Sequence, residues 1–403
     1  MRCGKDIAAL LLSVALATPA AAQESVFSLQ FLGVSEESGD ARARGLGVLG
    51  VAIDDPHTAI TLNPAALGSL HLMTLSGMGL GGRRTSRGDA LEVRHSQMRF
   101  PQERLALPLA GKIVVSLGYL GLRNFDSTFE SSLRQVTGLT YSRTFQRRGT
   151  LYQVPVAVAR PVGSRLLVGA SLDFLLGTVD ESWAAGGDSL LVLRTRRRDG
   201  FSGRTMTLGL IARPLGGLRL GSSWNPSFGL DRTTRTTLED TRVPGAKPLR
   251  DGSVKGTASL PATWRAGAAL DIGPHWLLCA DFLRRDWGKY EGRSYGAESV
   301  GLESRVGGGV EWRPKGTAGL LRLAYRAGMS RTTWPQRLGG NPLRETTLHL
   351  GSGLEFPDGH GRVDAGFEYA WIGDRARNGF EERSWRFVVG LSAQERWKRK
   401  SPR

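Results

Sequence analysis

The chain has 403 residues, a formal net charge of +17 and two cysteines, Cys3 and Cys279. Cys3 lies in a segment that we expect to be removed, which excludes an intramolecular disulfide framework and a Cys-based metal site. The six histidines are scattered without ligand spacing, so we expect neither a metal nor another cofactor. The arginine excess suits the phosphates of outer-leaflet lipid as well as nucleic acid. It equally suits a bias toward arginine codons that has no function.

Residues 1–22 form a predicted signal peptide. Arg2 and Lys5 supply a basic start, an apolar run follows, and Ala20-Ala21-Ala22 is an A-x-A cleavage site. The apolar run is too short to span a bilayer comfortably as a helix. We therefore expect an exported protein whose mature chain begins near residue 23.

The segment Ala41–Leu67 is small, rich in glycine and poorly suited to a strand or an ordinary helix. Glycine permits tight turns and close approach of other chain segments, while Asp-Asp-Pro and Asn-Pro favour turns. We interpret residues 23–69 as a compact plug. The residues predicted to form and gate it are Gly45, Gly47, Gly50, Asp54, Asp55, Asn63, Pro64 and Ala65.

The order of motifs in this segment resembles the start of a known family. Gly45-Leu46-Gly47, Asp54-Asp55 and Asn63-Pro64-Ala65 are similar to motifs of FadL-type outer-membrane transporters and their shorter relatives, including the PorV-like barrels of Bacteroidetes-type secretion systems. The short gap between the glycines and the two aspartates is closer to the shorter relatives. The resemblance implies a barrel with an N-terminal plug in its lumen.

Gly45–Gly50 also spells GxGxxG, a pattern found in dinucleotide-binding turns. Such a site needs a strand before the glycines, a helix after them, and an acidic residue about 20 residues further on. Here Ala41-Arg42-Ala43-Arg44 precedes the glycines, and Leu70-His71 lies at the position of the acid. We therefore interpret the glycines as a structural turn.

From about Leu70 onward, strand-length segments alternate between apolar and polar residues. In one of them, Val363, Phe367 and Trp371 lie on one face while Asp364 and Glu368 lie on the other, the pattern of a strand with one polar side. We predict fourteen antiparallel strands, at 70–80, 91–100, 112–121, 150–160, 166–176, 204–213, 217–226, 258–271, 275–285, 306–313, 319–327, 345–356, 361–371 and 384–392.

The length of these segments favours a membrane barrel over a soluble β-sandwich or propeller. They run to about 9 to 11 residues, as tilted transmembrane strands do, whereas soluble strands peak near 5 or 6. We predict an all-β outer-membrane barrel of about 14 strands over residues 70–392, followed by a basic tail at 393–403. The aromatic residues expected in its interfacial girdles are Trp264, Trp276, Trp287, Tyr290, Trp312, Tyr369 and Trp371.

Three long segments, 177–204, 230–257 and 286–305, are predicted outer loops, because long loops of such barrels face outward and short turns face the periplasm. The first contains Gly187-Asp188-Ser189-Leu190, the GDSL string of a hydrolase family. No helix-rich α/β pattern surrounds it, and Asp358-Gly359-His360 has the wrong spacing for its partner. We therefore expect no enzymatic activity.

The predicted third strand contains Gly118, which is a possible kink in the wall. Glycine inside a strand often marks a bulge or kink, and FadL-type transporters interrupt their third strand to release ligand sideways into the membrane. Gly118 could equally be an inward residue that leaves room for the plug. Apolar residues on otherwise polar faces hint at an inward pocket: Leu167, Val114, Ile211 and Leu320.

Two functions remain open on the sequence. The first is passive uptake of hydrophobic or amphipathic small molecules, such as long-chain fatty acids, which needs no cofactor or energy-coupling motif. The second is a PorV-like partner for protein secretion or assembly, with a secreted client. Under either function we expect outer-membrane lipid, including outer-leaflet phosphates, as a partner, and we expect no nucleic acid.

Overall fold

The computed structural model describes residue 25 and residues 33–88, 92–134, 140–187, 193–240, 247–288, 300–314, 319–357 and 359–396. The signal-peptide prediction, Tyr290 and the Asp188-Ser189-Leu190 string lie outside these residues. Within them, no helix is both long enough and apolar enough to cross a membrane.

Strands dominate the described residues. In chain order they are β1 (Val34–Ser35), β2 (Met73–Arg87), β3 (Glu92–Pro108), β4 (Val114–Asn124), β5 (Ser127–Arg134), β6 (Thr140–Val162), β7 (Leu166–Gly187), β8 (Leu193–Leu215), β9 (Leu218–Asn225), β10 (Phe228–Asp240), β11 (Arg250–Leu260), β12 (Thr263–Ile272), β13 (Trp276–Asp286), β14 (Leu302–Trp312), β15 (Ala324–Leu338), β16 (Asn341–Glu355), β17 (Gly361–Gly373) and β18 (Glu381–Glu395). The short helices are α1 (Ala41–Gly45) and α2 (Arg375–Asn378), with 3-10 helices at Pro64–Ser69, Ala110–Lys112 and Gly319–Arg322.

The wall of the barrel has 14 antiparallel strands, as predicted from the sequence. Each of the pairs β4 with β5, β9 with β10 and β11 with β12 forms one interrupted wall strand, and β1 lies inside the barrel. Pairing between β18 and β2 closes the wall, from Glu381 opposite Arg87 to Glu395 opposite Met73. Every predicted strand overlaps one wall strand, and the last strand includes the first three residues of the predicted tail.

Two of the predicted loops are mostly strand. β7 continues to Gly187 and β8 begins at Leu193, while β10 continues to Asp240 and β11 begins at Arg250. These extensions have polar side chains on both faces, so hydrophobic alternation ends although backbone pairing continues. The segment predicted as the eleventh strand begins instead with a 3-10 helix, which leaves Leu320 exposed. The hint that Leu320 faces an inward pocket is wrong.

The outer surface of the wall is apolar and the inner surface is polar. Each wall strand exposes at least one large apolar side chain, among them Leu172, Phe174 and Phe387. Inward positions bury charged side chains such as Arg326 and Glu368. An apolar belt around a closed barrel with a polar interior defines a transmembrane barrel of the bacterial outer membrane. Trp276 and Trp312 stack within this belt, with ring centroids 6.1 Å apart.

The lumen contains residues 33–72, which lie within the predicted plug and the start of the barrel. β1 pairs with Arg123 and Asn124 of β4, α1 packs on β15–β18, and the 3-10 helix Pro64–Ser69 packs on β6–β8. The segment therefore crosses the lumen from the end with long hairpins to the end with short turns. Short turns face the periplasm in barrels of this class. We call residues 33–72 the plug.

Candidate functional site

The glycine-rich part of the plug lies directly against glycines of the wall. Gly47 has a φ of +71°, a conformation that favours glycine, and its neighbours approach β14 and β15 closely. A side chain at these wall positions would displace the plug. A Cβ added at Gly307 would overlap the carbonyl oxygen of Gly47. A Cβ added at Gly309 or Gly328 would overlap the carbonyl oxygen of Leu46.

Buried ion pairs join the plug to the same side of the wall. Arg42 of α1 donates to both carboxylate oxygens of Glu311 at 2.8 and 2.7 Å and to Asp55 at 2.8 Å. Arg362 of β17 also contacts Asp55 at 2.7 Å, and Arg326 of β15 donates to Glu311 at 2.6 Å. Burial alone would raise the pKa of Asp55, but Arg362 and Arg42 hold it well below its usual range. Asp55 is thus an acceptor shared by plug and wall cations.

The neighbouring acid, Asp54, binds a different part of the wall. Its carboxylate accepts hydrogen bonds from Arg213, at the turn end of β8, and from Arg219 of β9 at 3.0 Å. The adjacent Asp54 and Asp55 therefore face two different groups of strands. Together they fix the plug on both sides of the turn that they open.

Asn63 joins three backbone segments. Its side-chain amide donates to the carbonyl oxygens of Val51 at 2.7 Å and of Leu210 at 3.0 Å, and its side-chain oxygen accepts from the Ala65 amide at 3.1 Å. Pro64 begins the 3-10 helix that Asn63 caps. The side chain of Asn63 is fully buried, so Asn-Pro-Ala ties the plug to β8 as well as forming a turn.

The third wall strand separates from the second. Pairing of β3 with β4 ends at Gln102 opposite Leu120, after which β4 bends inward. One edge of β4 stays paired with β6 as far as Asn124, and its other edge pairs with β1. Every residue from Leu120 to Asn124 is buried. Among the described residues, the outer part of β3 therefore pairs with β2 alone. The result is an opening between β3 and β4, which we call the lateral opening.

Gly118 lies just before this bend. It pairs with Arg104 of β3, but within the described ladder Gly118 and Tyr119 have no partners in β6, where Pro155 lacks a backbone donor. The inward turn begins two to three residues later. A side chain at Gly118 would overlap the β3 backbone, so close strand contact accounts for this glycine.

Two polar contacts cross the lateral opening. Glu36 of the plug forms an ion pair with Arg99 of β3, and the Tyr119 hydroxyl donates to the carbonyl oxygen of Phe100 at 3.1 Å. Gly121 lies beside both Glu36 and Pro101. A plug carboxylate therefore lies at the gap in the wall.

A cavity lies on the lumen side of the lateral opening. Its lining includes Tyr119 and Pro155 at the opening, apolar side chains such as Leu62 and Phe228, and charged ones such as Arg104. Its volume of about 60 Å³ is room for about four to six water molecules. A compound of fatty-acid size does not fit, so passage requires movement of the plug or the wall.

The far side of this cavity is strongly charged. Glu37 of the plug contacts Arg265 at 2.5 Å and also Arg285. Burial would raise the pKa of Glu37, but the two guanidinium groups lower it to about 2. Trp287 donates to Glu303 at 2.7 Å and is buried, so its predicted place in a membrane girdle is wrong.

Sequence reasoning identified the plug motifs but missed their ionic partners. The signal was present in the inward charges of the strands, because a charged lumen requires countercharges in the segment that fills it. The Ala-Arg-Ala-Arg stretch of α1 supplies two of these, Arg42 and Arg44. Leu167 and Ile211 do face inward, but they pack against Ala65 and Ala66 of the plug and form no open pocket. Among the described residues, no group of three His, Cys, Asp or Glu side chains is placed to hold a metal.

These features define a transmembrane barrel of the FadL type, with its own N-terminal segment folded into the lumen. The chain matches the family model of BamG over residues 5–402 and belongs to that family. No curated protein sequence matches it.

Solved structures support the fold. The Pseudomonas aeruginosa FadL homologue has a TM-score of 0.64 and 13% identity, with 90% of this chain and 99% of that chain covered. The Ralstonia pickettii toluene transporter TbuX has a TM-score of 0.62 and 15% identity, covering 89% and 99%. The Pseudomonas putida toluene transporter TodX has a TM-score of 0.56 and 15% identity, covering 91% and 100%. At such identities the likeness extends to the fold alone.

Proposed function

We propose that this protein is a passive outer-membrane channel for hydrophobic or amphipathic small molecules, acting without catalysis or a cofactor. The observation that carries the proposal is the lateral opening, which adjoins a cavity inside the lumen. A closed polar lumen would release solute only into the periplasm. An opening through the apolar belt gives a hydrophobic compound a route into the bilayer.

The cavity lining supports this ligand class. Apolar walls at Leu62, Leu122 and Phe228 suit a hydrocarbon chain or ring, and Arg104 and Arg123 suit an acidic head group. Long-chain fatty acids combine both features. The names of the structural neighbours, toluene transporters and a FadL homologue, also favour a hydrophobic substrate.

The test is uptake of a labelled long-chain fatty acid by cells with and without the protein. We expect faster uptake with the wild type, and loss of that gain in Gly121→Trp, whose side chain would lie between Glu36 and Pro101 in the opening. The control is Gly229→Trp, because an added Cβ there meets nothing within 4 Å. A heat-modifiable band on gels verifies that each barrel has folded.

Two results would contradict the proposal. If wild-type uptake equals that of cells lacking the protein, for both the fatty acid and toluene, there is no transport. If folded Gly121→Trp takes up the probe as fast as wild type, the lateral opening is not the route. Deleting residues 23–67 should also raise single-channel conductance, and unchanged conductance in a folded barrel would show that the plug does not close the pore.

A second candidate is an assembly or secretion partner with a protein client. The observation in its favour is that the plug is held tightly in the lumen. Buried ion pairs of Arg42 and Arg44 join it to the wall, and the cavity beside it is small. This candidate predicts no uptake. It predicts instead that loss of the protein lowers the amounts of particular exported proteins at the cell surface, and that folded Gly121→Trp still restores them.

A further inference from the structure

The outer surface of β6, β7 and β8 has a group of arginines above the apolar belt. Side chains alternate in these strands, so that even-numbered residues face outward and odd-numbered residues face the lumen, although some odd-numbered residues beyond the belt, such as Trp183, are also exposed. The lumen-facing set includes Asp173 and Leu175, and the outward set includes Leu172 and Phe174. We define the arginine patch as Arg148, Arg194, Arg196, Arg198 and Arg204.

The strand register places four of these five arginines just beyond the belt. Tyr152, Leu176 and Ser202 form the cross-strand row at which the belt ends. Arg148 and Arg198 flank Asp180 in a row four residues further along. At about 3.3 Å per residue and a tilt of about 40°, that row lies about 10 Å above the end of the belt. This is the layer of lipid head groups.

Arg204 lies lower, one outward row inside the end of the belt. It is exposed opposite Phe174, and the next outward position on the same strand is the exposed Met206. An arginine stem packs along apolar surface while its head group reaches toward water. On the lipid face an arginine costs about 2–4 kcal/mol at the midplane but only about 0–1 near the interface. Arg204 is thus suited to the lower edge of the head-group layer.

Few acids neutralise the patch. Arg198 contacts Asp180 at 2.6 Å, and Arg196 lies 3.8 Å from Glu239. The other three, Arg148, Arg194 and Arg204, form no ion pair or side-chain hydrogen bond with any residue that the structure describes. Three guanidinium groups therefore face outward with their donors available.

We propose that the arginine patch binds the phosphate groups of an outer-leaflet lipid whose acyl chains lie on the apolar belt beneath it. Continuity with the belt favours lipid over a soluble polyanion, because Val154, Phe174 and Leu176 offer acyl contacts directly below the cations. Arginine binds phosphate with paired donors in a planar fork. The site is on the outside of the wall, so it goes beyond the proposed transport and does not depend on it.

The test uses the full barrel in detergent, with a bisphosphorylated glycolipid and its dephosphorylated form as probes. The variant Arg148→Gln/Arg194→Gln/Arg204→Gln removes three charges from the patch. The control Arg160→Gln/Arg165→Gln/Arg322→Gln removes three exposed charges at the opposite end of the barrel. Gel heat-modifiability checks the folding of each protein.

We expect wild type and control to bind the phosphorylated lipid more tightly than the dephosphorylated one. The patch variant should bind the phosphorylated lipid about 100-fold more weakly, since each of the three basic residues contributes about 1 kcal/mol near such a surface and about 1.4 kcal/mol is a factor of ten. Equal binding of both lipids by wild type overturns the proposal without any variant. The proposal is also overturned if the folded patch variant binds the phosphorylated lipid with wild-type affinity. It is overturned as well if wild type binds heparin as tightly as the lipid and the patch variant loses both to the same extent.

Discussion

The plug makes different contacts with two sides of the barrel wall. On the side of β14–β18, which we call the docked side, wall glycines meet the plug backbone and buried ion pairs hold α1. On the side of β3 and β4, which we call the open side, a cavity lies between plug and wall, and the two strands separate beyond Gln102. Ion pairs of the plug also reach other strands, since Asp54 binds Arg213 and Arg219, but α1 itself is held on the docked side. The plug can therefore stay fastened on one side while the other side changes.

The largest effect is expected from breaking the docked side. Arg42→Met leaves Glu311 and Asp55 buried with one cation fewer each, and removing one partner of a buried pair costs about 3–5 kcal/mol. We expect the folded band to disappear at lower urea concentration and the conductance to rise. Urea titration followed by gel mobility, together with planar-bilayer recording, measures both.

The matched control for Arg42→Met is Arg383→Met, since Arg383 is exposed and lies 3.8 Å from Glu381. Exposed pairs contribute little, so its urea midpoint should match wild type. If Arg42→Met also matches wild type, the plug is not held by this network.

A smaller effect is expected where the plug borders the open side. Asn63→Ala leaves the carbonyl oxygens of Val51 and Leu210 and the Ala65 amide without this partner. Unsatisfied buried groups cost about 1–3 kcal/mol each, less where they relax. We expect a barrel that still folds but takes up a labelled fatty acid more slowly, because Leu62 and Pro64 line the cavity.

Asn341→Ala is the control for Asn63→Ala, because Asn341 makes comparable bonds to backbone oxygens in an exposed turn. Its uptake should equal that of wild type. Normal uptake in folded Asn63→Ala would limit Asn63 to a structural role and leave transport itself intact.

The smallest effect is expected at the lateral opening. Glu36→Gln keeps the size of the side chain but removes its ion pair with Arg99. Glutamine still offers Arg99 a hydrogen-bond acceptor, so the change removes only the charge-assisted part of the contact, about 1 kcal/mol. Uptake should therefore rise by no more than about fivefold. The control is Glu92→Gln, because Glu92 lies on β3, as Arg99 does, and forms an exposed ion pair with Arg87. This change should leave uptake unchanged. A fall in uptake on Glu36→Gln would show that this contact guides the ligand and does not obstruct it.

The sequence by itself determined the barrel. Period-two alternation places all 14 wall strands, because one face of each strand meets lipid and the other meets polar groups. The glycines, Asp54-Asp55 and Asn63-Pro64 mark the segment that fills the lumen, since only turn-forming and small residues allow such close contact with the wall. The polar extensions beyond Gly177 carry no such alternation, and the prediction of loops there was wrong.

Only the tertiary structure decided which groups meet in the lumen. Arg42 and Glu311 are 269 positions apart, and no local pattern relates them. Their contact depends on strand register, strand tilt and the path of the plug together. The separation of β4 from β3 is similar, because the edge of β4 that faces β3 can pair equally well with β3 or with β1. The competition between those two partners is resolved only once the barrel has closed around the plug.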